Sequence, residues 1–83
     1  MSLLVVRFLT RSGCHLCDQA RPLLMSVVEG MDATLEEIDI DSNPEYRHYG
    51  SRIPVVLGPG NEVLAEGEIK DRRVLRSALR RLA

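Results

Sequence analysis

The chain has 83 residues, 45% of them hydrophobic, which is material for one domain around one core and excludes a second. Eleven Lys and Arg stand against twelve Asp and Glu, and a net charge of −1 offers no general electrostatic reason to bind nucleic acid or a membrane surface. The charge is unevenly spread: seven acids lie between Glu29 and Glu45, where no base interrupts them, and six bases lie between Lys70 and Arg81.

Leu3 to Leu9 is rich in β-branched and large apolar residues and ends at Ser12-Gly13, the pattern of a buried strand followed by a turn. Leu16, Ala20, Leu23, Leu24, Val27, Val28 and Met31 then recur every three or four residues, which predicts a helix from near Cys14 to Gly30. Pro22 falls inside it, removing one backbone donor and crowding the Asp18 carbonyl, so a kink is expected rather than a break. Thr34 to Ile40 reads as a second strand, parallel to the first because a helix makes the crossover.

Asp41-Ser42-Asn43-Pro44 supplies capping residues and a proline, predicting a short helix from Pro44 to about Tyr49. Val55 to Leu57 and Glu62 to Glu66 look like two strands joined by the turn residues Gly58-Pro59-Gly60-Asn61. Asp71 caps a last helix, with Val74, Leu75, Ala78, Leu79 and Leu82 expected toward the core and the arginines Arg72, Arg73, Arg76, Arg80 and Arg81 toward solvent. The order is βαβ, a short helix, then ββα, an α/β sandwich of four strands in a single domain over residues 1–83.

The apolar N-terminal run is seven residues long, contains Arg7, and lacks a basic leader and a small-residue cleavage site, so no signal peptide is expected. No segment approaches the roughly 20 apolar residues that cross a bilayer. A cytoplasmic location follows as the default expectation. Reducing surroundings there disfavour a purely structural disulfide.

Both cysteines lie in "TRSGCHLCDQA", which leaves three readings open: a redox pair, part of a metal site, or two neighbouring core residues. Side chains three apart on a helix are about 5–6 Å apart, a spacing that a disulfide tolerates. Cys14 at the helix start is expected to face solvent and to attack, while Cys17, one turn in, is shielded and resolves. Attack needs a thiolate, and a cysteine with the ordinary pKa near 8.5 is only about 3% ionised at pH 7. A helix N-terminus contributes roughly 0.3–1 kcal/mol, less than one pKa unit, so hydrogen bonds must supply the remainder. The donors expected are the Cys17 backbone N–H and thiol, with Arg11 and His15 nearby.

A strand, "TRSGCHLC", a helix carrying Pro22, and later "RIPVV" before a hairpin resemble the glutaredoxin-like branch of the thioredoxin superfamily over nearly the whole chain. The resemblance implies a thioredoxin-like sandwich, a four-stranded mixed sheet flanked by helices in the order βαβαββα. It also implies thiol-disulfide oxidoreductase activity carried by Cys14 and Cys17, and a cis Ile53-Pro54 peptide beside the nucleophile. There the Ile53 backbone would pair with an extended substrate, as in strand addition. His15-Leu16 replaces the usual Pro-Tyr between the cysteines, so neither redox potential nor thiol acidity carries over. Where the family has a Gly-Gly pair and a nearby Asp for glutathione, this chain has Glu66-Gly67 and, one residue late, Asp71. Gly67 therefore matches one glycine of the pair.

Glutathione is expected as a co-substrate rather than a resident cofactor, and none is expected to be bound. Arg11 and Arg52 are the groups expected to meet its two carboxylates, with His15 tuning the thiolate. The partners expected are a disulfide-bearing protein or glutathione and a reductant protein or glutathione, with the chain acting as a monomer. His48 is read as surface, and Tyr46 and Tyr49 as packing on the core. Two cysteines with His15 and His48 are the four candidate zinc ligands, but His15 is trapped inside the motif loop, so a complete site within one chain is not expected, and no metal is expected. The alternatives are an iron-sulfur cluster shared across a dimer, or an interaction module whose cysteine pair is redox-inactive.

Overall fold

The computed structural model describes residues 4–82, and the predicted strand residue Leu3 lies outside that range. Four strands form one sheet in the order β2-β1-β3-β4: β1 is Leu4–Thr10, β2 Ala33–Asp39, β3 Val55–Leu57 and β4 Val63–Glu66. β1 and β2 are parallel, from Leu4 opposite Ala33 to Thr10 opposite Asp39, while β1–β3 and β3–β4 are antiparallel. Helix α1 spans His15–Glu29 and α2 spans Arg72–Arg80; a short 3-10 helix, Pro44–Tyr49, lies between β2 and β3. Among the described residues, no helix is long and apolar enough to cross a membrane.

Period-two alternation explains why the sheet is buried on both faces. Val6, Phe8 and Val56 point to one side, where they pack with Ala20, Leu24, Val27 and Val28 of α1 and with Leu75 and Leu79 of α2. Leu9, Val55 and Leu57 point to the other and meet Ile38 and Ile40, with Tyr46, Tyr49 and Ile53 at the margin. Both tyrosines are thus where the sequence places them, against the smaller core. Ile40 lies one residue past β2 but is fully buried, its N–H donating to the Thr10 carbonyl.

The helix ends follow capping chemistry. Cys14 is the N-cap of α1, and Gly30 closes the other end by donating its N–H to the carbonyls of Ser26 and Val27. The helix continues through Pro22 to Glu29. Asp71 caps α2 by accepting the Arg73 N–H at 2.9 Å, and that bond holds its carboxyl below the ordinary value. The hairpin turn closes through the Gly58 N–H on the Glu62 carbonyl, and Asn61 takes φ +64.

Val74 corrects the sequence reading. Expected toward the core, it is 58% exposed. The nine-residue α2 buries only the stripe of Leu75, Ala78 and Leu79, and Val74 lies about 100° round the helix from Leu75, toward an open groove bordered by Leu64, Ala65 and Ile69.

Candidate functional site

By register, the C-terminal end of β1 and the N-terminal end of β3 meet: Leu9 pairs with Val55, so the loop after Thr10 lies alongside Arg52-Ile53-Pro54. The first loop carries Gly13 at φ +79, a conformation that favours glycine, and turns the chain so that Cys14 opens α1. Cys14 adopts extended backbone, φ −91 and ψ 101, and its Sγ accepts the Cys17 N–H at 3.1 Å. The backbone donor anticipated from sequence is therefore in place.

Cys14 and Cys17 are joined by a disulfide with their Cα atoms 5.2 Å apart. Cys17 has no exposed surface and belongs to the larger core with Phe8 and Val6, whereas Cys14 is half-buried at its edge. The two sulfurs thus differ in access: an incoming group reaches Cys14 first. His15 is exposed, and its side chain makes no hydrogen bond with another described residue.

The Ile53-Pro54 peptide is cis, as the family resemblance implied. Gly67, at φ +72, donates its N–H to the carbonyls of both Arg52 (3.1 Å) and Pro54 (2.8 Å). Its backbone donor is therefore used in holding the Arg52–Pro54 loop. Among the described residues no hydrogen bond uses the Ile53 N–H or carbonyl, so this residue keeps a free backbone donor and acceptor in the loop that the β1–β3 pairing sets alongside the Cys14 loop.

Each of the two arginines expected to meet a ligand carboxylate has the Nε–Nη2 edge of its guanidinium bound to a carboxylate of this chain. Arg11 grips Asp41 through Nε (3.1 and 3.2 Å) and Nη2 (3.0 Å). Arg52 grips Glu66 through Nε (2.6 Å) and Nη2 (3.1 Å), with its guanidinium carbon 5.2 Å from the Tyr49 ring centre. Each carboxyl is held below its ordinary value, first by the hydrogen bond from its arginine. No local sequence signal pairs residues 30 and 14 positions apart; only the fold brings them together. His48 is exposed and lies against Tyr49, ring centres 4.1 Å apart and planes tilted by 37°, which agrees with its reading as a surface residue.

A polar network missed by the sequence reading lies on the other side of the Cys14 loop, in a cleft of about 310 Å3. Arg21 bridges Glu37 (2.8 Å twice) and Asp18 (2.9 Å), and Glu37 also accepts the hydroxyl of Thr10, which is only 4% exposed. The Arg21 hydrogen bond is the main cause holding the Glu37 carboxyl below 4.5. A carboxylate lowered in this way contributes stability that is fully present above its unfolded value and is lost as pH falls through the folded one. Glu37→Gln is expected to lower stability at pH 7 by about 0.5–1 kcal/mol, discounted for solvent screening, and to flatten the decline between pH 5 and about 3. Urea midpoints across that range read this directly. An equally steep decline in the variant would assign acid sensitivity elsewhere.

Among the described residues, no three His, Cys, Asp or Glu side chains are grouped to hold a metal ion. A four-stranded mixed sheet with a cysteine pair at a helix N-terminus and a cis proline opposite defines a thioredoxin-superfamily protein. Residues 5–81 match the sequence family described as Glutaredoxin-like domain (DUF836), and the chain belongs to that family.

Among solved structures the chain is similar to protein XcR50 from X. campestris, at 28% identity and TM-score 0.72 over 92% of this chain and 96% of that one. It is also similar to protein Ne2328 from Nitrosomonas europaea, at 26% identity and TM-score 0.72 over 93% and 92%. A mutant thioredoxin from Halobacterium salinarum shares the fold, at 24% identity and TM-score 0.68 over 89% of this chain and 69% of that one. No curated protein matches the chain. Fold and disulfide together support a redox-type function.

Proposed function

We propose that the protein is a dithiol thiol-disulfide oxidoreductase that reduces protein or glutathione mixed disulfides, with glutathione as a co-substrate. The observation that carries this reading is the asymmetry of the pair: Cys14 caps α1 at the surface with its sulfur hydrogen-bonded to the Cys17 N–H, and Cys17 lies within disulfide reach and out of solvent. In the forward step the Cys14 thiolate attacks one sulfur of the substrate disulfide. That bond breaks, one half leaves as a thiolate and takes a proton from water, and the other half stays on Cys14. Cys17, as its thiolate, then attacks the Cys14 sulfur, releasing the second thiol and leaving Cys14–Cys17 oxidised. Two molecules of a small thiol, leaving joined as a disulfide, or one dithiol reductant then return the two electrons.

The unpaired Ile53 backbone supports the reading as well, since it offers an extended substrate one donor and one acceptor in the loop alongside Cys14. Reduction of substrates fits a reducing, cytoplasmic setting.

Equilibration in glutathione and dithiothreitol redox buffers, followed by alkylation and mass analysis, tests the assignment. A single reversible two-electron transition at Cys14–Cys17, together with catalysed reduction of insulin disulfides, is expected. A pair that titrates but never speeds insulin or glutathione disulfide reduction would remove the enzymatic reading.

A further inference from the structure

The rim around Cys14 carries a charge arrangement that bears on which disulfides it accepts, an inference that rests on the exchange reading above. Arg11 and Arg52 flank the site from the two loops that meet at the β1–β3 end, and each has its Nε edge closed by a carboxylate. These groups are half-exposed, with side-chain exposures of 42% and 53% for Arg11 and Asp41 and 41% and 44% for Arg52 and Glu66, so both pairs are open to solvent. Arg47 adds a cation by donating to the Asp41 carbonyl at 3.2 Å, and Asp39 adds an anion that acts on Arg11. On that side two cations meet two anions. Arg21, the remaining arginine near the loop, is shared between Asp18 and Glu37.

We propose that Asp41 and Glu66 are specificity-determining residues: by binding the Nε–Nη2 edges of Arg11 and Arg52 and offsetting their charge, they weaken the counter-charges available to the two carboxylates of glutathione, and the site favours disulfides presented by polypeptide chains. A ligand carboxylate at Arg52 gains the guanidinium but meets Glu66 on the same group, and the two contributions nearly cancel. A polypeptide segment needs no such counter-charge. Its recognition falls to the open Ile53 peptide and to the half-buried apolar side chain of Ile53. Asp41 and Glu66 act through their arginines and take no part in sulfur chemistry.

The test compares two probes with dithiothreitol as the electron donor: a peptide-glutathione mixed disulfide, and the same compound with both glutathione carboxylates as ethyl esters. Wild type is expected to give similar KM values for the two, and a higher kcat/KM for insulin disulfides than for the free-acid probe. Glu66→Gln and Asp41→Asn are each expected to lower the ratio of free-acid to ester KM by about fivefold, the worth of one exposed ion pair at contact distance in water, and the double variant by more. Both substitutions are isosteric and half-exposed, so the fold is retained.

An unchanged KM ratio in active variants would overturn the proposal, as would a wild type that already favours the free-acid probe over its ester. A fall in KM for both probes alike would also overturn it, because it would mean a change in shape and not in charge. If wild type reduces neither insulin nor either probe, the exchange reading itself fails, an outcome distinct from these.

Discussion

Cys14→Ser is expected to reduce disulfide exchange to the uncatalysed background, whereas Cys17→Ser is expected to halt with substrate bonded to Cys14. The two outcomes differ because the two sulfurs sit in different places. Cys14, half-buried at the N-cap, has its sulfur turned back onto the Cys17 N–H and is the one that an incoming disulfide reaches. Cys17 is enclosed by the apolar core, so it meets only a sulfur delivered through Cys14. A serine oxygen at position 14 is far too basic to ionise near neutrality and forms no mixed disulfide.

Without the Cys17 sulfur, the second displacement has no intramolecular nucleophile, and release depends on an external thiol. Intact-mass analysis after incubation with a disulfide-bonded peptide reads the result: one peptide adduct per chain for Cys17→Ser, none for Cys14→Ser. Equal rates of protein-disulfide reduction by Cys17→Ser and wild type would rule out the two-cysteine mechanism.

Phe8→Ala is expected to be the most destabilising single truncation, at about 3–5 kcal/mol. Phe8 is fully buried and is the largest side chain of the core cluster that Cys17 shares. Its removal leaves a cavity among Val6, Val56, Leu24 and Leu75, which come from four different elements and cannot all collapse inward. For a domain of this size, total stability is of order 5–15 kcal/mol and each kcal/mol shifts Tm by roughly 4–8 °C, so a fall of at least about 12 °C is expected. Val74→Ala is the control, because that side chain is mostly exposed and its truncation belongs within about 0.5 kcal/mol. Thermal or denaturant melts decide. A loss under about 1 kcal/mol for Phe8→Ala would mean that the ring is not held as the packing implies.

The consequence extends to chemistry. Phe8 and its neighbours exclude water from Cys17 and seat α1 on the sheet, so the geometry of the cysteine pair depends on the same packing that gives the domain its stability. A melt and an exchange assay on the same variant are expected to decline together.

What the amino-acid sequence determined by itself is whatever depends on near neighbours. Apolar spacing, apolar runs and turn residues together placed six of the seven elements within about a residue of their observed bounds, and Asp71, Gly30 and the Pro44 turn marked ends because capping is a contact within one helical turn. The cysteine spacing belongs to the same class, since a three-residue separation at a helix start sets the reach of the two sulfurs wherever the helix packs. Val74 lies at the limit of that logic: apolar character named it a core residue, but only the docking angle of α2 chose which stripe is covered.

Tertiary structure alone decided the electrostatics of the site. Arg11 with Asp41, Arg52 with Glu66, Arg21 with Glu37, and Thr10 with Glu37 join residues 14 to 30 positions apart in the chain. A charged side chain has many eligible partners in a chain with 23 charged residues, and which one it meets depends on strand order and register, not on composition. The same packing carries the Ile53-Pro54 peptide to the open end of α1 and so assembles one site from two loops some 40 residues apart.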